Sequence, residues 1–373
     1  MITIDLNARV LTEKHNVFVV RPGKGYGLYN DFAQTSSLIA ELPTLALKAN
    51  VPLDQQELRR QVNRSRAFRA WYRRGQPADD RPKRSLEDYS NEGGGNSASQ
   101  LESVVRTYFE KIDLGDLVIV PPKSYMDDAL IGEVTTSGLE PSTAKVPRRF
   151  GNEDLPSRSV RWIARMPKTD LPFSLLEALQ KPNAAFLVER SLRGQFYKLA
   201  YGNYSLDDFY SGRFEVTSAD FDTFDDVLLQ AFFNFTAANT RAIAEGREQD
   251  VRGFTEAAFI DSGEYLAQLQ TNINSPGFIA LLSQKITPLV ASALLLVAVQ
   301  VGTGALAEID AGTFVLRNSK APQADVCTAE VERQVIRQIQ LLGLDNWPAA
   351  CEKAQEVVKR TGLKSPATIR QGN

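Results

Sequence analysis

The chain has 373 residues, enough for two domains with cores of their own, and its 43% hydrophobic and 24% charged content is that of an ordinary folded protein. A single histidine, His15, excludes mechanisms and metal sites that need two. Two cysteines, Cys327 and Cys351, are too few for a zinc ribbon or a disulfide framework.

The net charge of −2 hides an asymmetry, because residues 1–200 hold 29 Lys+Arg against 24 Asp+Glu and residues 201–373 hold 14 against 21. The opening MITIDLNARVLTEKHN has no apolar core behind a basic start, so cytoplasmic residence is expected.

In chain order, NVFVV (16–20) reads as a buried strand entering the glycine-rich turn RPGKGYG, and residues 28–47 as a short helix and a second strand. The spacing of Leu58, Val62, Ala67, Phe68 and Trp71 predicts a helix over 53–74. Residues 75–99 have little to bury and read as an exposed, mobile loop. Ser99 and Glu102 match a capping box before the helix LESVVRTYFEKI. Segments 116–120, 130–135, 159–164 and 184–189 are β-like, with a short helix at 175–179. Acidic 207–226 follows. Helices are then predicted at 227–245 and 256–270, through the apolar stretch 278–307, and as a closing pair at 329–342 and 348–360. The resulting expectation is an α+β chain with a strand-rich domain at 1–205 and a mainly α-helical domain at 206–373.

Three segments carry a resemblance: VFVVRPGKGYGLYNDF (17–32), DLGDLVIVPP with IGEVT (113–122 and 131–135), and RSVRWIARMPKTDLP (158–172). Over roughly residues 15–195 the chain resembles the amino-terminal module of Mrr-type restriction-like proteins, in the EVE/PUA-like group of small β-barrels. The resemblance implies a β-barrel with flanking helices that senses nucleic acid, often a modified base, coupled to an effector. SLIAEL (37–42) lacks the aromatic-glycine pair usual there, and the stretch after IGEVT is long. Trp162, Tyr26 and Tyr29 remain as candidates for a base-stacking surface. Arg21, Lys24 and Arg158 belong to the matching segments and join the candidate nucleic-acid contacts.

The basic stretch points the same way without the resemblance. Arg59, Arg60, Arg64, Arg66, Arg69, Arg73 and Arg74 lie on one predicted helix, interleaved with Phe68, Trp71 and Tyr72. Arginines so placed suit phosphate contacts, which give affinity without sequence information, on DNA or RNA alike. The alternative is a solvated helix that balances the acidic second half.

Catalysis finds no support. None of the fifteen lysines has an acid two residues before it, which removes a standard PD-(D/E)xK nuclease, and P-loop, nucleophile-elbow and zinc patterns are absent. No cofactor, metal or catalytic residue is assigned. Asp220, Asp222, Asp225 and Asp226 suit a helix amino terminus better than a cation. Residues 286–307 hold no charge. They read as a buried helix suited to packing in a homo-oligomer, with an inner-membrane span as the alternative. The leading expectation is a nucleic-acid sensor of restriction or antiphage-defence type with a helical oligomerisation or effector domain. The alternatives are a structural or interaction protein of a phage or bacterium, and a nuclease with an unrecognised site.

Overall fold

The first two strands, β1 (Ile2–Asp5) and β2 (Ala8–Leu11), do not pair with the residues that follow them; their partners lie beyond residue 200. This computed structural model describes residues 2–92, 95–124, 126–258, 267–272, 277–300, 314–320 and 326–371. The chain forms two compact units, Lys14–Phe196, and Met1–Glu13 together with Tyr197–Asn373. The sequence reading places one division after residue 205, whereas these units change over after Glu13 and after Phe196, with the first thirteen residues grouped with the last part of the chain.

In the unit Lys14–Phe196, the apolar run β3 (Val17–Val20) is buried at every position. It is followed by α1 (Tyr29–Thr35), β4 (Ser37–Ile39) and α2 (Gln55–Arg73). Asp54 caps α2 by accepting from the Glu57 N–H at 2.7 Å, and Leu58, Gln61, Val62, Ser65, Phe68 and Trp71 give it one buried face at helical spacing. Next come α3 (Gly95–Arg106), prolonged by one wide turn over Thr107–Lys111, and then β5 (Leu117–Val120), β6 (Asp128–Val134) and β7 (Ser142–Lys145). The one-turn helix α4 (Pro147–Phe150) leads into the fourteen-residue β8 (Asp154–Pro167), followed by α5 (Phe173–Gln180) and β9 (Ala185–Leu187). Helix α6 (Arg190–Ala200) runs across the division.

The strands join in the order β4-β8-β6-β5-β3-β9, with β7 also on β8, as a curled half-barrel sheet. Length lets β8 serve three partners, and a register shift at Ile131/Gly132 adds local bend. Phe18, Val118, Val120, Leu130, Phe32 and Phe150 sit in its core.

The stretch expected as a loop at 75–99 holds some secondary structure among its described residues. It contains short 3-10 turns at Ala78–Asp80 and Leu86–Asp88, and α3 starts at Gly95. Ser99 lies inside that helix and donates to the Gly95 carbonyl, so it is not the cap, while Glu102 pairs with Arg59.

The other unit holds more strand than the sequence reading expects. A mainly helical domain was expected, and the structure interleaves helices with two sheets. After the hairpin β10 (Asn203–Leu206) and β11 (Phe209–Val216) come α7 (Thr223–Ala244) and the single turn α8 (Phe254–Ala257). Strands β12 (Ala267–Asn272) and β13 (Gly277–Ser283) follow, then α9 (Thr287–Gln300), β14 (Phe314–Arg317), α10 (Val326–Thr361, kinked at Gly343) and β15 (Thr368–Gln371). One sheet runs β12-β13-β11-β10-β2 and the other β14-β1-β15.

The helix predicted over 256–270 is thus one turn and a strand, with residues 259–266 outside the described set. The stretch 278–307 holds a strand and a helix, and its residues 301–307 also lie outside. Helix α9 is buried nearly all round and spans about 21 Å at 1.5 Å per residue, against about 30 Å of bilayer core. Among the described residues, no helix is long and apolar enough to cross a membrane. The acids before α7 do cap it: Asp222 accepts from the Asp225 N–H at 2.9 Å, and Arg360 reaches Asp225 at 2.6 Å.

Because β1 is the middle strand between β14 and β15, Ile4→Ala, at a fully buried position, is expected to cost about 2–5 kcal/mol. Native-state hydrogen exchange should quicken in β14 and β15 and stay unchanged in β5, which belongs to the other unit.

Candidate functional site

Thirteen residues were singled out in the sequence, and the structure sorts them by what their polar atoms already hold. Arg158 is a correction. It is fully buried, and its guanidinium donates to the carbonyls of Tyr108 (2.6 Å), Ile112 (2.5 Å) and Thr136. Burial pulls its pKa down to about 10, with Asp113 and Asp116 opposing. It ties the end of the wide turn to the strand loop and cannot reach a ligand.

Arg21 is spent in the same way, on the carbonyls of Leu179 (2.7 Å), Lys181 (2.5 Å) and Asn183 (3.1 Å) and on the Tyr26 hydroxyl. Tyr29 donates to the Asp128 carbonyl at 2.6 Å, and Trp162 donates to the Phe32 carbonyl at 3.2 Å while packing on the core. The aromatic candidates for a stacking surface are therefore each tied into the fold.

The arginines of α2 divide likewise. Arg59 pairs with Glu102 (2.8 Å) and Arg74 with Asp80 (2.8 Å). Arg64 joins two loops by donating to the Thr44 (2.6 Å) and Arg84 (3.0 Å) carbonyls, and burial lowers its pKa. Arg60 is half-buried on the same helix. The remaining three behave differently. Arg66, Arg69 and Arg73, at i, i+3 and i+7, share one helix face instead of spreading around it. They line a groove of about 570 Å³ with Asn63, Ala67, Ala70, Glu92, Ser97 and Leu101. The small side chains of Ala67 and Ala70 leave the groove floor low between the arginines.

At one end of that stripe stands a residue that the sequence reading passed over. Glu41 is buried, and its carboxylate collects Arg69 (2.9 Å), Arg73 (3.3 Å), Arg149 (3.4 Å) and the Lys24 backbone N–H (2.9 Å). Burial is the main cause that lowers the Arg69 pKa, and Glu41 works against it. Arg149 lies flat against the glycine turn, so that a Cβ at Gly27 would fall 1.5 Å from its Nη1. The Lys24 side chain is exposed beside the cluster. Three guanidiniums on one carboxylate leave a surplus of two positive charges, with Arg73 38% and Arg149 29% exposed. Glu41 is the only acid between Asp31 and Asp54, and Arg148–Arg149 sit in the long stretch after IGEVT. Those were the available signals, and neither points to the other.

A second cavity of about 590 Å³ is lined by Arg64, Arg84, Glu153, Asp154 and the Thr44–Leu47 loop. Its charges are matched internally, since Arg84 pairs with Glu153, so it has less to offer an anion. Among the described residues, no group of His, Cys, Asp or Glu is placed to hold a metal ion. Cys351 is buried, which pushes its thiol up to about 12, and His15 Nε2 meets the Gly115 carbonyl at 3.0 Å. Comparison with protein-family models, with curated proteins and with solved structures gives no match for this chain.

Two outcomes follow from these contacts. Glu41→Ala should destabilise the protein by about 2–3 kcal/mol in chemical unfolding. That is less than the ~3–5 of a fully buried pair, because Arg73 and Arg149 can turn to water. Burial also raises the Asp116 carboxyl from its ordinary 3.8 to about 6. With the folded value above the unfolded one, the folded state takes up this proton first, so its contribution to stability is lost as pH rises through 6 and is complete below 3.8. Asp116→Asn should flatten that part of the stability profile between pH 4 and 6, relative to the parent protein.

Proposed function

We propose that the unit Lys14–Phe196 binds nucleic acid through its phosphate backbone along the Arg66–Arg69–Arg73 groove. The observation that carries this is the single stripe of three arginines over a low floor, ending in a cluster whose charge Glu41 only partly cancels. Consecutive arginines of the stripe stand about 4.5 and 6 Å apart along the helix axis, close enough to follow neighbouring phosphates of one strand. The groove offers guanidinium donors and no aromatic platform, which favours backbone contact over base readout.

The resemblance of residues 15–195 extends this reading to a sensor of restriction or antiphage-defence type. The unit that carries α7, α9 and α10 would then supply oligomerisation or the effector. Recognition of a modified base, through Tyr26, Tyr29 or Trp162, is the less supported part of that reading, since these rings already serve the fold.

The test is binding of labelled DNA and RNA by the full chain between 50 and 200 mM salt. Affinity should fall steeply with salt, and Arg66→Glu with Arg73→Glu should lower it at least tenfold and reduce the salt slope by about 2. Arg69 is left in place, because an acid there would face Glu41. Affinity and slope unchanged in a variant that melts like the parent would refute the groove.

A further inference from the structure

The cluster at the end of the groove has more charge than an internal phosphate needs. A phosphodiester carries about one negative charge, whereas a phosphate monoester carries about 1.5–2 at neutral pH. Around Glu41 the surplus is two positive charges, before the exposed Lys24 side chain is added.

The donors are also placed for it. Glu41 accepts four hydrogen bonds or ion-pair contacts, two at each oxygen, which fills its acceptor capacity. Each guanidinium gives it one Nη2 only, and the contacts of Arg73 and Arg149 are long at 3.3 and 3.4 Å. Arg69 Nε is buried without an acceptor among the described residues. The turn beside the cluster carries no side chain at Gly25 or Gly27. Gly25 stands at φ +65 with open space where a Cβ would lie, and Gly27 has its Cβ position filled by Arg149. The carboxylate thus holds three guanidiniums in place while leaving their outer donors for a second anion.

Resting on the backbone-binding reading above, we propose that this cluster is a receptor for a terminal phosphate monoester, so that the groove takes a nucleic-acid strand by its phosphorylated end. Arg73 and Arg149 are the direct contacts, Lys24 adds charge, and Glu41 is a positioning residue. The same chemistry would recognise a free nucleotide, and the experiment separates the two sources.

Full-length protein is titrated with one single-stranded oligonucleotide bearing a 5′-phosphate, a 3′-phosphate or only hydroxyl ends, and separately with a nucleoside 5′-monophosphate. A phosphate at one end should tighten binding about tenfold over hydroxyl ends. That preference should fade as pH falls through about 6, where the monoester takes up its second proton. Arg73→Gln and Arg149→Gln should each erase the preference. Arg66→Gln should weaken all strands alike and keep it. Lys24→Gln, at an exposed side chain that the fold does not use, should reduce the preference even if the arginine variants fold poorly.

Equal binding of phosphate and hydroxyl ends overturns the end-receptor and leaves the backbone groove standing. Binding of the mononucleotide with no gain for the phosphorylated strand overturns the strand as its source. If no strand binds at all, the backbone reading fails with it.

Discussion

The unit Lys14–Phe196 depends on one carboxylate. Glu41 draws together the glycine turn that follows β3, the last turns of α2 and the short helix α4, which are separated by up to 125 residues of sequence. Without an anion at that point, three guanidiniums would face one another in a partly dry space, where repulsion is screened poorly. With it, they form a fixed array whose positive charge is reduced but not removed. An array of this kind costs little to organise when a ligand arrives, because the arginine side chains have already been ordered by folding.

Arginine count and arginine availability are different quantities in this protein. Arg21, Arg64 and Arg158 use their planar, multi-donor heads to collect backbone carbonyls from helix ends and loops, those held by Arg158 being buried. The basic composition of residues 1–200 is therefore partly a cost of building many irregular connections. Arg66, Arg69 and Arg73 of α2 instead line a groove, with Arg149 of α4 joined to its end through Glu41.

Much of the half-barrel was legible because its strands are short apolar runs between Pro and Gly, and α2 because its buried positions recur at helical spacing. The cluster was not, since a lone Glu41 in ELPT carries no local pattern; its meaning lies in partners 28, 32 and 108 residues away. The stretch 278–307 misled for a different reason. β13 is buried at five of its seven positions and α9 at nearly all of its positions. A segment apolar on every side has no period to distinguish strand from helix. The boundary was hidden because β1 and β2 are four residues each, and nothing local reveals that they pair with residues 314–317, 368–371 and 203–206.

That pairing has a bearing on how the protein is made. Synthesis runs from the amino terminus, so Lys14–Phe196 has its whole core as soon as it leaves the ribosome. Strand β1 must wait for both neighbours, β14 at residues 314–317 and β15 at residues 368–371. Until then its backbone edges are open to any extended segment nearby. A nascent chain stalled before residue 314 would carry one finished module and a strand β1 with neither of its partners.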